Sequence, residues 1–207
     1  MGRKGRDEMN FILASASPRR REMLQHLGLD FCVVCADADE SSEEKDGQKL
    51  VELLATRKAT AVLERLGEQG ALTPNTVILA ADTVVVSPEG EILGKPRDKD
   101  DARRMLRALS GNTHRVISGI CVIANERTVS ASEVTEVTFD VLSDAIIDAY
   151  IASGEPMDKA GAYGIQDTAS LWIQGIRGDY FNVVGLPLHR VEVVLKENFH
   201  MSLWGKG

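Results

Sequence analysis

Apolar positions along the chain fall into short runs broken by Gly, Pro and Asp, and the spacing within each run separates strands from helices. "FILAS" at 11–15 predicts a short buried strand. A helix follows, with Ser17 as its cap, Pro18 in its first turn, Met23, Leu24 and Leu27 facing inward and Gly28 closing it. "DFCVVCA" predicts a second strand and leads into the acidic loop "DADESSEEKDG". From about Gln48 to Leu66, the apolar residues Leu50, Leu53, Leu54, Val62 and Leu66 recur at helical spacing. Gly67 then opens a loop.

"TVILAADTVVV" is nearly continuous in apolar residues, which predicts a strand buried on both faces. One acidic residue, Asp82, interrupts it. "SPEG" turns the chain into "EILGKP" as a hairpin, and "DKDDARRMLRALSG" reads as a helix. "HRVISGICVIA" and "TVSASEVTEVTFD" pair as antiparallel strands, and "LSDAIIDAYIASG" is a helix capped by Ser143. "EPMDKAGAYGIQD" holds too many glycines for either regular state and is a structured loop. "ASLWIQGIRG" returns to strand, and Asn182 to Asn198 is mostly helical. This order predicts an α/β (mixed α+β) fold around one twisted sheet with flanking helices. The helix from about Asp98 and the hairpin after it would form a second lobe. Residues 1–10, "MGRKGRDEMN", lack an apolar segment and read as a flexible tail, leaving 11–207 as a single domain.

Composition narrows the function classes. The net charge of −7, from 24 basic and 31 acidic residues, argues against a general nucleic-acid binder, which needs a basic face. It permits a small anionic ligand in a local basic pocket. No apolar run approaches the roughly 20 residues that span a bilayer, so no membrane association is expected. Three cysteines, an odd count without a secretory signal, fit a reducing cytoplasm. Cys32 and Cys35 form a lone C-x-x-C within a predicted strand. They read as buried structural thiols, since no second cysteine pair or nearby histidine completes a metal site.

Against this acidic background, "SASPRRREML" gathers three arginines at a helix start, where the helix dipole disfavours cations. Either the run is solvated, or it faces an anion. Ser15 and Ser17 hydroxyls, backbone N–H groups and the Arg19 and Arg20 guanidinium forks together make a phosphate cradle, with Arg21 turned to solvent. Asp82 also has two readings: a strand-end aspartate capping a neighbouring backbone, or a carboxylate facing a ligand beyond the strands' carboxyl ends, beside Thr83. Glu40 is a second carboxylate for a hard cation such as Mg²⁺. Lys58 and Lys95 each read alone as surface lysines. The glycine-rich loop offers Asp158, Lys159, Tyr163 and Gln166, either as a packed turn or as a wall in which Gln166 reads the edge of a base. No G-x-x-x-x-G-K-[ST], G-x-G-x-x-G or G-x-S-x-G occurs, which excludes the common nucleotide folds.

Taken in order, "ILASASPRRREML", "DADE", "RKATAV", "ILAADTVV", "LGKP", "LSG", "EPMDKAGAYGIQ" and "GDYFNVVGLPL" resemble the Maf family of nucleoside triphosphate pyrophosphatases, from about residue 11 to 197. The resemblance implies an elongated mixed sheet with two lobes around a deep cleft, like the inosine triphosphate pyrophosphatases, and possible homodimers. It implies cleavage of a nucleoside triphosphate to NMP and pyrophosphate, dependent on a divalent cation (Mg²⁺ or Mn²⁺). The family's general base falls on Asp82, also a metal position with Glu40. Its phosphate-handling positions fall on Ser15, Arg20, Lys58 and Lys95, with Ser17 beside them. Its specificity positions fall on Arg19, Thr83 and Gln166, matching the Arg, Thr and Gln of the subfamily acting on dTTP and UTP. The 7-methyl-GTP subfamily has Trp, Gln and Glu there. The physiological task implied is removal of non-standard nucleotides. The alternative is a non-catalytic nucleotide-binding regulator of cell division, against which the presence of a base, Asp82, argues.

Overall fold

A computed structural model describes residues 9–204. Residues 1–8, most of the expected tail, lie outside the described residues, and Asn10 already belongs to the first strand. In chain order the elements are β1 (Asn10–Ala14), α1 (Pro18–His26), β2 (Cys32–Val33), α2 (Gly47–Glu68), β3 (Thr76–Val86), β4 (Ile92–Leu93) and α3 (Lys99–Leu109). There follow β5 (Thr113–Ala124), β6 (Arg127–Phe139), α4 (Asp144–Ala152), β7 (Ile173–Arg177), α5 (Tyr180–Val184) and α6 (Leu188–Phe199). Short 3₁₀ turns at Glu155–Asp158, Ala160–Ala162 and Thr168–Trp172 organise the glycine-rich loop.

The strands form one mixed sheet ordered β2-β1-β3-β5-β6-β7, with β4 on β3. β1 pairs in parallel with β2 and β3, while β3, β5, β6 and β7 pair antiparallel. The α/β expectation therefore holds, with a mixed sheet. β3 is the spine, buried along nearly its whole length. Its odd residues Val77, Leu79 and Ala81 pack with Leu24, Val191 and Leu195 of α1 and α6, whereas its even residues Ile78 and Ala80 pack with Ala55, Ala59 and Val62 of α2. Towards the other end, Val85 joins a core with Leu106 of α3, Ile147 of α4 and Tyr163. Val84 and Val86 meet Val51. Four core clusters thus share one strand, one on each face towards each end.

Two local expectations need correction. Cys32 and Cys35 are exposed, because β2 is a two-residue edge strand that pairs only with β1 and has no covering layer. Ser17 does occupy the N-cap of α1, but its side chain makes no capping bond.

The seating of α2 depends on Gly119, which pairs with Asp82 across β3 and β5. A Cβ there would lie 2.7 Å from Glu52 N and closer still to the Val51 carbonyl, so the helix backbone rests directly on the strand. Because the obstacle is backbone, no rotamer change relieves it. Gly119→Ala is expected to lower unfolding free energy by about 1–3 kcal/mol or more, as overpacking does. Denaturant titration measures this, and an unchanged midpoint would contradict the close approach.

Candidate active site

β1 accompanies β3 only as far as Ala14 opposite Ala80, and β4 begins at Leu93 opposite Val85. Residues 81–84 of β3 therefore lack a strand neighbour along that edge, and a cavity of about 660 Å³ opens there. It is lined by Ser15, Ser17, Arg19, Arg20, Glu40, Lys58, Asp82, Thr83, Lys95 and Gln166, so every candidate from the sequence meets in one place. Asp82 stands in the middle of an eleven-residue strand rather than at its end. It borders a ligand-sized space because the neighbouring strand stops, not because its own does.

Strand alternation divides the cavity between the two faces of the sheet. On the α2 face, the Lys58 Nζ donates to Asp82 Oδ1 at 2.5 Å and lies 2.8 Å from Glu40 Oε1. The Asp82 side chain is only 14% exposed, that of Glu40 65%. The hydrogen bond from Lys58 holds the Glu40 carboxyl below its ordinary range, helped by the charges of Lys58, Lys95 and Arg20 and opposed by burial. The two carboxylates, one on β3 and one on the loop before α2, thus converge on the ammonium that α2 carries.

On the opposite face the Arg20 guanidinium is the hub. Nε donates to Gly185 O (2.7 Å), Nη1 to Ala81 O (2.8 Å) and Ser15 Oγ (3.1 Å), and Nη2 to Thr83 Oγ1 (3.0 Å). A guanidinium has five N–H groups, so one on Nη2 is left for a ligand. Burial draws the Arg20 pKa down, opposed by the charge of Asp82. At the rim, Arg19 Nη1 lies 3.6 Å from Asp158 Oδ2. The buried Lys159 ammonium binds Asp158 Oδ1 and Glu155 O and lies 3.4 Å from Asp167, gathering the loop that carries the exposed Gln166. Lys95 is likewise exposed.

Sequence reasoning missed Ser118, Asn182 and Gly185. Asn182 is completely buried, and its side-chain amide reaches Val116 O, Thr135 Oγ1 and the Ser118 N–H. The signal was present: "YFNVVGLPL" holds one amide in an apolar run, as "ILAADTVVV" holds one carboxylate.

The family model described as Maf-like protein matches residues 10–198. The chain belongs to the Maf-like family. Among Maf-like relatives, a dTTP/UTP pyrophosphatase of Alkaliphilus metalliredigens is 48% identical over 195 residues, covering 93% of this chain and 97% of that one. Proteins of the same name from Pyrococcus horikoshii and Hahella chejuensis are each 46% identical. They cover 92% and 98% of this chain, and 98% of their own lengths. The solved structure of the Staphylococcus aureus Ham1 protein aligns over 63% of this chain and 71% of its own, at 12% identity and a TM-score of 0.44. No helix among the described residues is long and apolar enough to cross a membrane.

The wall behind the glycine-rich loop makes a pH prediction. Tyr163 lines the cavity, and its hydroxyl lies 2.7 Å from the Nε2 of buried His114, whose Nδ1 has no partner among the described residues. Burial pushes the imidazole from its ordinary 6.5 down to about 4. The unfolded chain binds this proton near pH 6.5 and the native state only near 4. The contribution is therefore complete above pH 6.5 and lost as pH falls through that window, by about 3 kcal/mol at its lower end. Denaturant unfolding between pH 4 and 8 should show this limb, and His114→Gln should flatten it.

Proposed function

We propose that this chain hydrolyses nucleoside triphosphates at the α-phosphorus to NMP and pyrophosphate, with dTTP and UTP preferred. The observation that carries the reading is the convergence of Asp82, Glu40 and Lys58 at the mouth of an arginine- and lysine-lined cavity, in a chain whose relatives are named dTTP/UTP pyrophosphatases. Asp82 serves as general base. It is largely shielded from water and reaches the open edge of β3, so one carboxylate oxygen can accept the proton of a water attacking phosphorus. Lys58, Lys95, Arg19 and the remaining Arg20 N–H face a triphosphate of about four negative charges, stabilising the pyrophosphate as it leaves.

The carboxylates fit a divalent cation. Glu40 and Asp82 are hard oxygen donors already converging on one point, and Mg²⁺ commonly takes one or two protein carboxylates and completes its shell with substrate phosphates and water. When bound there, Mg²⁺ or Mn²⁺ supplies electrophilic activation of the phosphate. A purely regulatory nucleotide-binding role has less support, since binding alone needs no carboxylate placed as Asp82 is.

One NMP and one pyrophosphate are expected per turnover, with activity lost in EDTA and restored by Mg²⁺ or Mn²⁺. Chromatography showing NDP and orthophosphate would assign attack to the γ-phosphorus instead. Asp82→Asn should lower kcat by about 10²–10⁴-fold, the usual worth of a general base, while nucleotide binding by calorimetry survives.

The Gln166 amide offers a donor to O4 of uracil or thymine, whereas a carboxylate offers none. Gln166→Glu should therefore reduce turnover of dTTP and UTP more than the basal turnover of ATP and GTP. In the wild type, kcat/KM for dTTP and UTP should exceed that for purine nucleotides by roughly ten-fold or more, the scale of an unpaired buried polar group. Equal values would remove the pyrimidine assignment.

A further inference from the structure

We propose that Ser118, which does not line the cavity, is a positioning residue for base selectivity: it takes the only hydrogen of the Thr83 hydroxyl and so presents Thr83 to the base as an acceptor. The inference rests on the pyrimidine reading above and specifies how uracil and thymine are told from cytosine.

Counting protons along the buried chain gives the direction. The main-chain oxygen of Asn182 can only accept, so the Ser118 hydroxyl, 2.9 Å away, donates to it. Ser118 Oγ has no other hydrogen, so across the 2.8 Å contact the Thr83 hydroxyl is the donor. The Arg20 guanidinium can only donate, and it occupies one lone pair of Thr83 Oγ1 at 3.0 Å. The Thr83 hydroxyl has one other outlet within the chain, Gly185 O at 3.5 Å, a longer bond to an oxygen already held by Arg20 Nε. Thr83 is left with one free lone pair and no hydrogen. Ser118 and Asn182 are both fully buried, and the Ser118 N–H donates to Asn182 Oδ1 at 3.0 Å, so the Ser118 side chain is held with its Oγ between the Asn182 carbonyl and the Thr83 hydroxyl.

Thr83 also stands on the recognition side. It shares a face of β3 with Val85, and the glycine-rich loop presses on Val85 at Gly161, where a Cβ would fall 2.7 Å from Val85 Cγ2. The same loop carries Gln166, and both Thr83 and Gln166 line the cavity. An amide reads O4 of uracil in one orientation and N4 of cytosine after a half-turn, so Gln166 alone tolerates either base. A fixed acceptor does not. It receives the N3–H of uracil or thymine, but meets the N3 lone pair of cytosine with its own.

The test is kcat/KM for UTP and CTP in the wild type, Ser118→Ala, Thr83→Val, Thr83→Ser and the Ser118→Ala/Thr83→Val double variant. The wild type should favour UTP by roughly ten-fold, one mismatched hydrogen bond. Ser118→Ala frees the Thr83 hydrogen to turn into the cavity, so the preference should collapse, chiefly through a lower KM for CTP and with kcat on UTP little changed. Thr83→Val should lose the preference too, the double variant should lose no more, and Thr83→Ser should keep it. A Ser118→Ala enzyme with the wild-type UTP/CTP ratio, or with both substrates slowed equally, overturns the proposal. If Ser118→Ala does not fold, Thr83→Val decides: retention of the wild-type ratio overturns it equally. A wild type that turns over neither nucleotide overturns the pyrophosphatase reading itself, whereas an active wild type with unchanged variant ratios overturns only the role of Ser118.

Discussion

The Arg20 guanidinium fills a place that a β-strand would otherwise occupy. Along the edge of β3 between Ala80 and Val85, the Ala81 carbonyl is met by Nη1 rather than by a backbone N–H. A fully paired edge would close the cleft, and an open one would leave a buried carbonyl unsatisfied at a cost of about 1–3 kcal/mol. One rigid planar fork satisfies the strand while leaving the space beside it open. It also ties together the ends of three segments: Ser15 after β1, Thr83 in β3 and Gly185 after α5. Lysine, with a compact ammonium and three donors, cannot reproduce that span.

Because the gap lies in the edge of the sheet, the cavity reaches both of its faces, and consecutive residues of one strand acquire different tasks. Asp82 points towards α2 and meets Lys58, while Thr83 points away and meets Arg20 and Ser118. The glycines at the boundary serve this division. Gly119 brings the α2 backbone onto the sheet opposite Asp82, and Gly161, at φ +67°, brings the glycine-rich loop onto Val85. A single strand thus fixes the distance between the Asp82–Glu40–Lys58 cluster and the wall formed by Thr83 and the glycine-rich loop.

Much of this was legible in the sequence because it is local. The eleven residues of β3, the β5–β6 hairpin and the Ser143 cap follow from apolar runs and capping chemistry. The candidate side chains, chosen partly by residue chemistry and partly by family resemblance, all line the one cavity. The parts that were not legible depend on partners distant in the chain. The open edge beside Asp82 depends on where β1 stops, which "TVILAADTVVV" does not encode. "FCVVC" has the composition of a buried strand, but pairing on one side alone leaves both thiols exposed. Arg20 read as a phosphate ligand, yet most of its donors are committed to oxygens as far as 165 residues away. Ser118 is an ordinary polar residue in a strand until Asn182 is brought against it.

Carboxylate partners hold other cations of the cleft in this acidic chain. Lys58 is shared between Asp82 and Glu40, and Asp158 is shared between Lys159 and Arg19. These carboxylates differ in exposure: Glu40 and Asp158 are each 65% exposed, Asp82 only 14%. Exposed ion pairs contribute about 0–1 kcal/mol, so Glu40 and Asp158 can yield their cations to a phosphate at little cost. The shielded Lys58–Asp82 contact is held more firmly, which keeps the carboxylate aligned while its neighbours exchange. On the proposed reading, substrate phosphates take over the cations that Glu40 and Asp158 release, which leaves Glu40 free for a divalent cation and Asp82 in place, where a base is needed.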